Sequence, residues 1–150
     1  MKNFTLHLVG ADRLFYEGEC QSVVVPAVDG QYGVLADHAN LITAIVPGEL
    51  SFTVPGEKSE VVAVAGGIMK VEDNDVLILV DYILRPEEID ADRAMQEEAA
   101  AREIMLQKRS RREYRSAQAQ LARAVTKLKV RRKGSVSYTH LRAHETLSDG

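Results

Sequence analysis

Along residues 65–94, AGGIMKVEDNDVLILVDYILRPEEIDADRA, the spacing of apolar residues changes from two to between three and four, and the change falls at Pro86. A period of two puts one face of a strand into a core, whereas a period near 3.6 lays an apolar stripe along a helix. Proline removes a ladder donor from a strand but is tolerated in the first turn of a helix. A chain that carries both periods on either side of one proline is built from two parts. The predicted fold class is α+β: an N-terminal antiparallel β-sandwich, or flattened barrel, over residues 1–85, followed by a C-terminal α-helical hairpin over residues 86–134.

The first part reads as strands separated by turn formers. Phe4, Leu6 and Leu8 alternate with Thr5 and His7, and the β-branched run Ser22 to Val25 is expected to stop at Pro26. Asp29-Gly30, Val46-Pro47-Gly48 and Pro55-Gly56 are turn signals that frame the alternating Leu50, Phe52 and Val54. Val61, Val62 and Val64 lead into Gly66-Gly67, read as a bulge or a close backbone approach, and Asp73-Asn74-Asp75 is read as a hairpin turn before Val76 to Val80. Gly33 and Gly67 are expected to serve backbone geometry. Short strands at this spacing, with no helix between them, indicate an antiparallel sandwich.

From Glu87 onward the pattern is helical. Asp90 is placed to cap a first helix carrying Ala91, Ala94, Met95, Ala101, Ile104 and Met105, and Lys108 to Arg112 reads as a basic connection. Tyr114, Ala117, Leu121, Ala124 and Leu128 then follow at steps of three and four, a narrow seam that calls for a partner helix. Alanine dominates both seams. The helices can approach closely, but each methylene they lack forgoes about 0.8 kcal/mol of transfer free energy, so the pair is expected to be weakly held.

Charge separates along the same boundary. The chain of 150 residues has a net charge of −3, yet residues 1–84 hold four Lys/Arg against twelve Asp/Glu, a net of −8, while residues 85–134 hold fourteen against eight, a net of +6. The basic part is therefore drawn to acidic surfaces. No run approaches the roughly 18 apolar residues of a spanning helix, the start MKNFTLHLVG lacks a signal-peptide core, and the lone Cys20 allows no intrachain disulfide. There is neither a Gly-rich phosphate loop ending in Lys-Ser/Thr nor a nucleophile elbow. No catalytic residue and no metal set are expected.

Three segments together resemble the epsilon subunit family of the bacterial F-type ATP synthase: Gly30 to Gly48, GQYGVLADHANLITAIVPG; Val64 to Val80, VAGGIMKVEDNDVLILV; and Glu88 to Ala94, EIDADRA. The resemblance covers most of residues 1–130. It implies a non-catalytic rotor-stalk subunit of the F1 part, peripheral to the cytoplasmic face of the cell membrane. Its sandwich would bind the gamma subunit and the c-ring, with Gln31 and His38 in the contact region. Its helical hairpin would regulate ATP synthesis and hydrolysis at the alpha/beta catalytic head, with Arg109, Arg111, Arg112, Arg115 and Lys127 as basic contacts, and movement would pivot at Pro86 to Ile89.

Departures from the family pattern bear on single sites. Gln31 stands where Glu is frequent, Asp37 where Gly is common, and Asn40 where Pro is common. Some members bind ATP through the signature Asp and Arg with further basic residues. Asp90, Arg93 and Arg123 match that pattern, whereas Leu84, Ala100 and Ser116 replace an acidic residue and two arginines. The resemblance thus implies no cofactor beyond weak ATP binding.

Plainer readings stand beside these. A carboxylate at Asp90 caps a helix whether or not a nucleotide binds. Arg93 is an ordinary helix-surface residue, His7 a plain strand residue, and His38 a loop residue without the further ligands a metal needs. A nucleic-acid-binding module with a basic hairpin is the alternative function, and a free-standing nucleotide sensor a third. The strongly acidic first part and the lack of an aromatic-rich basic sheet speak against nucleic acid. Residues 135–150, SVSYTHLRAHETLSDG, break the pattern and resemble a conceptual translation of a sequencing adapter read through in frame. They are expected to be a non-native tail, and the spacing of His140 and His144 is given no functional weight.

Overall fold

The computed structural model describes residues 2–107 and 110–147, with side chains described through Gly134. Contacts divide the chain into two units, Met1–Leu84 and Arg85–Gly150.

The first unit contains β1 (Phe4–Gly10), β2 (Leu14–Cys20), β3 (Ser22–Ala27), β4 (Gly30–Val34), β5 (Leu41–Ile45), β6 (Gly48–Thr53), β7 (Glu60–Val64), β8 (Gly67–Glu72), β9 (Asp75–Val80) and β10 (Ile83–Leu84). They form two five-stranded sheets, ordered β2-β1-β9-β8-β5 and β10-β7-β6-β3-β4. Inward side chains from both sheets make one core, with Leu6, Leu8, Val23, Leu50, Phe52, Val62, Met69 and Ile78 closed to solvent. β1 shows why alternation works: Phe4, Leu6 and Leu8 are buried while Thr5 and His7 face outward.

The structure departs from the sequence expectations at several places. β1 and β9 run parallel, with Leu6 opposite Val76 and Leu8 opposite Ile78, so the sandwich is not wholly antiparallel. Seven strands, distributed over both sheets, separate β1 from β9, and so long a connection permits a parallel neighbour where a tight turn would not. Pro26 does not end β3. It lies inside the strand, opposite Gln31, beyond Val24, the last residue that β3 pairs with β6. Its carbonyl accepts from the Val46 amide, so the edge that lacks an N–H faces away from β4 and no ladder bond is lost.

The β8–β9 turn is tighter than expected. Asp73 and Asn74, at φ 49° and 62°, close it alone, the two left-handed residues of a type I′ hairpin, and Asp75 already belongs to β9. Gly67 does mark a close backbone approach, since a Cβ there would stand 1.9 Å from the Leu79 carbonyl oxygen. Gly33 does not: a Cβ there would meet only Val24 Cγ2, at 3.9 Å.

In the second unit a 3-10 turn, Pro86–Glu88, precedes α1 (Ala91–Gln107) and α2 (Arg111–Leu147). Asp90 caps α1 as its sequence position suggests, with Oδ1 accepting from the Arg93 amide at 3.1 Å. The basic connection is shorter than Lys108 to Arg112, because Ser110 Oγ accepts from the Glu113 amide at 3.1 Å and starts α2 at Arg111. Ser110-x-x-Glu113 is a capping signature that basic composition obscured. Ala94 and Ala101 of α1 and Ala117 and Ala124 of α2 are buried along the seam, whereas Met95 is 57% exposed and Tyr114 40%. α2 runs past residue 134 to Leu147, through a stretch without Pro or Gly to stop it; the side chains of the suspected tail lie outside the described residues.

Candidate functional site

Gln31 is exposed on β4, and its neighbour Tyr32 packs against the core. Tyr32 Oη lies 2.9 Å from His38 Nε2, and His38 Nδ1 lies 2.7 Å from the Ala39 carbonyl oxygen. A carbonyl can only accept, so Nδ1 carries the proton and Nε2 accepts from the tyrosine hydroxyl. The two rings meet edge to face at 5.6 Å. His38 is thus an anchor of the β4–β5 loop, with both nitrogens engaged.

That loop is stitched to the β8–β9 turn. The Asp37 amide donates to Asn74 Oδ1 at 2.5 Å, Asn74 Nδ2 donates to Asp37 Oδ1 at 2.9 Å, and the Asp73 amide donates to Asn40 Oδ1 at 3.1 Å. Lys2 Nζ reaches Asp37 Oδ2 at 3.1 Å. The Asn74 hydrogen bond, then the Lys2 ammonium, hold the Asp37 carboxyl below its ordinary value. Asp37 and Asn40, read from sequence as departures, therefore work together with a turn more than thirty residues away. The loop also displays Leu35 to solvent.

Two features escaped the sequence reading. On the outer face of the first sheet, Ile68 lies opposite both Ala44 and Leu79, and with Ile42 these leave three large apolar side chains exposed. Contiguous exposed apolar side chains on a sheet face are candidates for contact with a partner. The alternation of Ile68 with buried Met69 and Val71 carried that signal. His7, read as a plain strand residue, stands between two carboxylates, with Nδ1 3.3 Å from Glu17 and Nε2 2.9 Å from Asp75.

On the helical unit, the basic residues fall into two sets. Arg111, Arg112 and Arg115 are exposed in the first turns of α2, while Arg109 lies outside the described residues. Lys127 is drawn inward to Glu97, 3.6 Å away across the seam, and Arg93 Nε approaches the same Glu97 at 3.4 Å. Asp90 and Arg93 are adjacent at the start of α1. Arg123 is not brought to them: the Glu97–Lys127 pair sets the register, and Arg123 falls one turn further toward the connection, about three turns from Asp90 along the axis. Arg102, Met105, Leu106, Tyr114 and Leu121 line an apolar cleft at the connection end of the pair. Among the described residues, no helix is long and apolar enough to cross a membrane.

The chain matches two family models in succession: the beta-sandwich domain of the ATP synthase delta/epsilon chain over residues 3–86, and its long alpha-helix domain over residues 87–131. It is 36% identical over 145 residues to the ATP synthase epsilon chain of Chromobacterium violaceum, covering 96% of this chain and all of that one. It is also 36% identical over 130 residues to the epsilon chain of Caldicellulosiruptor saccharolyticus, covering 87% and 94%. Among solved structures, a chain of the Euglena gracilis mitochondrial ATP synthase superposes with a TM-score of 0.74 at 22% identity, covering 83% of this chain and 78% of that one. A chain of the Tetrahymena thermophila mitochondrial ATP synthase central stalk and c-ring gives 0.63 at 13%, covering 87% and 97%. These two likenesses share the fold.

Proposed function

The chain belongs to the ATP synthase delta/epsilon chain family, and from that premise we propose that it serves as a central-stalk rotor subunit of the epsilon type. The observation that carries this is the succession of both family domains along one chain, in an alignment that covers all of the Chromobacterium violaceum epsilon chain and 94% of the Caldicellulosiruptor saccharolyticus one. The sandwich is the assembly part. Its exposed Gln31, the loop anchored by His38, and the apolar outer face are the surfaces offered to a gamma subunit and a c-ring.

The helical unit is the regulatory part, acting on an alpha/beta catalytic head through Arg111, Arg112 and Arg115, with Arg109 and Lys127 in support. Catalysis belongs to other subunits, and the protein works peripherally, at the cytoplasmic face of the membrane. The relatives give no support to a nucleic-acid module. Nucleotide binding by the helices is weak in this reading, because Asp90 already caps α1, Arg93 is engaged with Glu97, and Arg123 is displaced along the axis.

Co-purification with gamma and catalytic subunits tests the assembly role, and its failure would remove it. Deleting residues 88–134 tests regulation: ATP hydrolysis by the assembled enzyme should change, and an unchanged rate would defeat that half of the proposal. Calorimetry with ATP should show weak binding that Arg93→Ala abolishes; a tight, Arg93-dependent isotherm would overturn the weak-binding reading.

A further inference from the structure

The helical pair is held unevenly. Along the seam, Ala94, Ala101, Ala117 and Ala124 each bury a single methyl group. At one end the buried side chains are larger: Ile89, just before α1, and Val130, late in α2, are both closed to solvent. Arg131, next to Val130, donates a guanidinium N–H to the Ile89 carbonyl. That carbonyl lies outside the ladder of α1, whose first bond runs from the Ala94 amide to the Asp90 carbonyl. The arginine, always charged, supplies a partner that the helix cannot. The same end closes further where Gly134 meets Pro86, since a Cβ on that glycine would stand 2.4 Å from Pro86 Cβ.

We propose that Ile89, Val130 and Arg131 form a latch that sets how readily α1 and α2 separate. Branched side chains bury several times the apolar carbon of an alanine methyl. Ile89 and Val130 are closed to solvent, whereas the larger seam residues elsewhere, Ile104, Leu121 and Leu128, are only half-buried, so this end is the most completely closed part of the pair. A charge-assisted bond to an otherwise unserved carbonyl adds to it. Once the latch opens, the alanine seam offers little resistance. The inference deepens the regulatory reading and rests on it for any consequence in the assembled enzyme, whereas closure of the pair is a property of this chain alone.

Amide hydrogen exchange on the full chain tests it, comparing Arg131→Ala, Arg131→Lys, Val130→Ala and, as control, Arg132→Ala at a neighbouring exposed position. Arg131→Ala should raise exchange across α1 roughly fivefold, the scale of one lost hydrogen bond of this kind, while β1 to β10 exchange as before. Arg131→Lys, which keeps a donor, should give a smaller rise, Val130→Ala a larger one, and Arg132→Ala none. The latch is refuted if Arg131→Ala matches Arg132→Ala, or if its effect stays within the turn around residue 131 while α1 is unmoved. Should α1 open as expected but ATP hydrolysis by the assembled enzyme stay unchanged, the latch stands and the regulatory reading is what fails.

Discussion

Asp37 and Asn74 hydrogen-bond each other twice, backbone amide to side-chain oxygen at 2.5 Å and side-chain amide to carboxylate at 2.9 Å, and both residues hold left-handed φ values, 65° and 62°. Short polar side chains tolerate that conformation because they can hydrogen-bond locally. Here each uses its polar group on the other, so one contact fixes two turns. The β4–β5 loop, with His38 and exposed Leu35, is positioned by a turn distant in sequence.

Removing Asn74 should make the fold less stable at neutral pH and less sensitive to acid than the parent protein. The Asp37 carboxyl is held below its ordinary value first by Asn74 and then by Lys2. A depressed folded-state value contributes stability above the unfolded-state value, near pH 4, and that contribution disappears as pH falls through the folded value. Asn74→Ala should therefore lose stability at neutral pH, with the gap to the parent protein closing at lower pH. Denaturant melts at pH 7 and pH 3 measure it, and a gap that is constant with pH would contradict it.

Gly67→Ala should be severe and Gly33→Ala mild. The new methyl at 67 would stand 1.9 Å from a backbone oxygen, which cannot swing aside as a side chain can. A cost above ~3 kcal/mol, or failure to fold, is expected there. At 33 the nearest atom is 3.9 Å away, and the change should lie within about 1 kcal/mol of neutral, on either side. Thermal melts of the two variants compare them directly.

Cys20 should resist alkylation in the native protein. Its thiol is buried, lies 3.1 Å from the Ser22 carbonyl oxygen, and is pushed up in pKa by burial. The thiolate is the reactive species. At pH 8 iodoacetamide should label it at least about a hundredfold more slowly than in denaturant, where burial is lost. Comparable rates would show that the sandwich opens far more readily than its packing implies.

Enlarging the seam should loosen the helices without touching the sandwich. Ala124 is fully buried, and Ala124→Leu forces extra volume into a close helix contact, at a cost of ~1–3 kcal/mol. Helical signal by circular dichroism should melt earlier, while protection of Cys20 is retained.

Much of this was legible in one dimension. The change of period at Pro86 is local physics, as are the Asp90 cap and the buried alternation of Phe4, Leu6 and Leu8. What could not be read depends on partners remote in sequence. The parallel pairing of β1 with β9 is one case, and the setting of Pro26 inside β3 another, harmless because β6 has already left that edge. His7 between Glu17 and Asp75, and the pull of Lys127 toward Glu97, belong to the same class. Ser110 was different: its capping signature was present and was masked by the basic residues around it.

By itself the sequence determined the two-part architecture, the family to which the chain belongs and the alanine character of the helical seam, because periodicity, turn chemistry and side-chain size are properties of neighbouring residues. Tertiary structure alone decided which groups meet: Asp37 with Asn74, Tyr32 with His38, and Arg131 with the Ile89 carbonyl. A hydrogen bond is specified to tenths of an ångström. No pattern of residue types carries that precision until the chain has closed on itself.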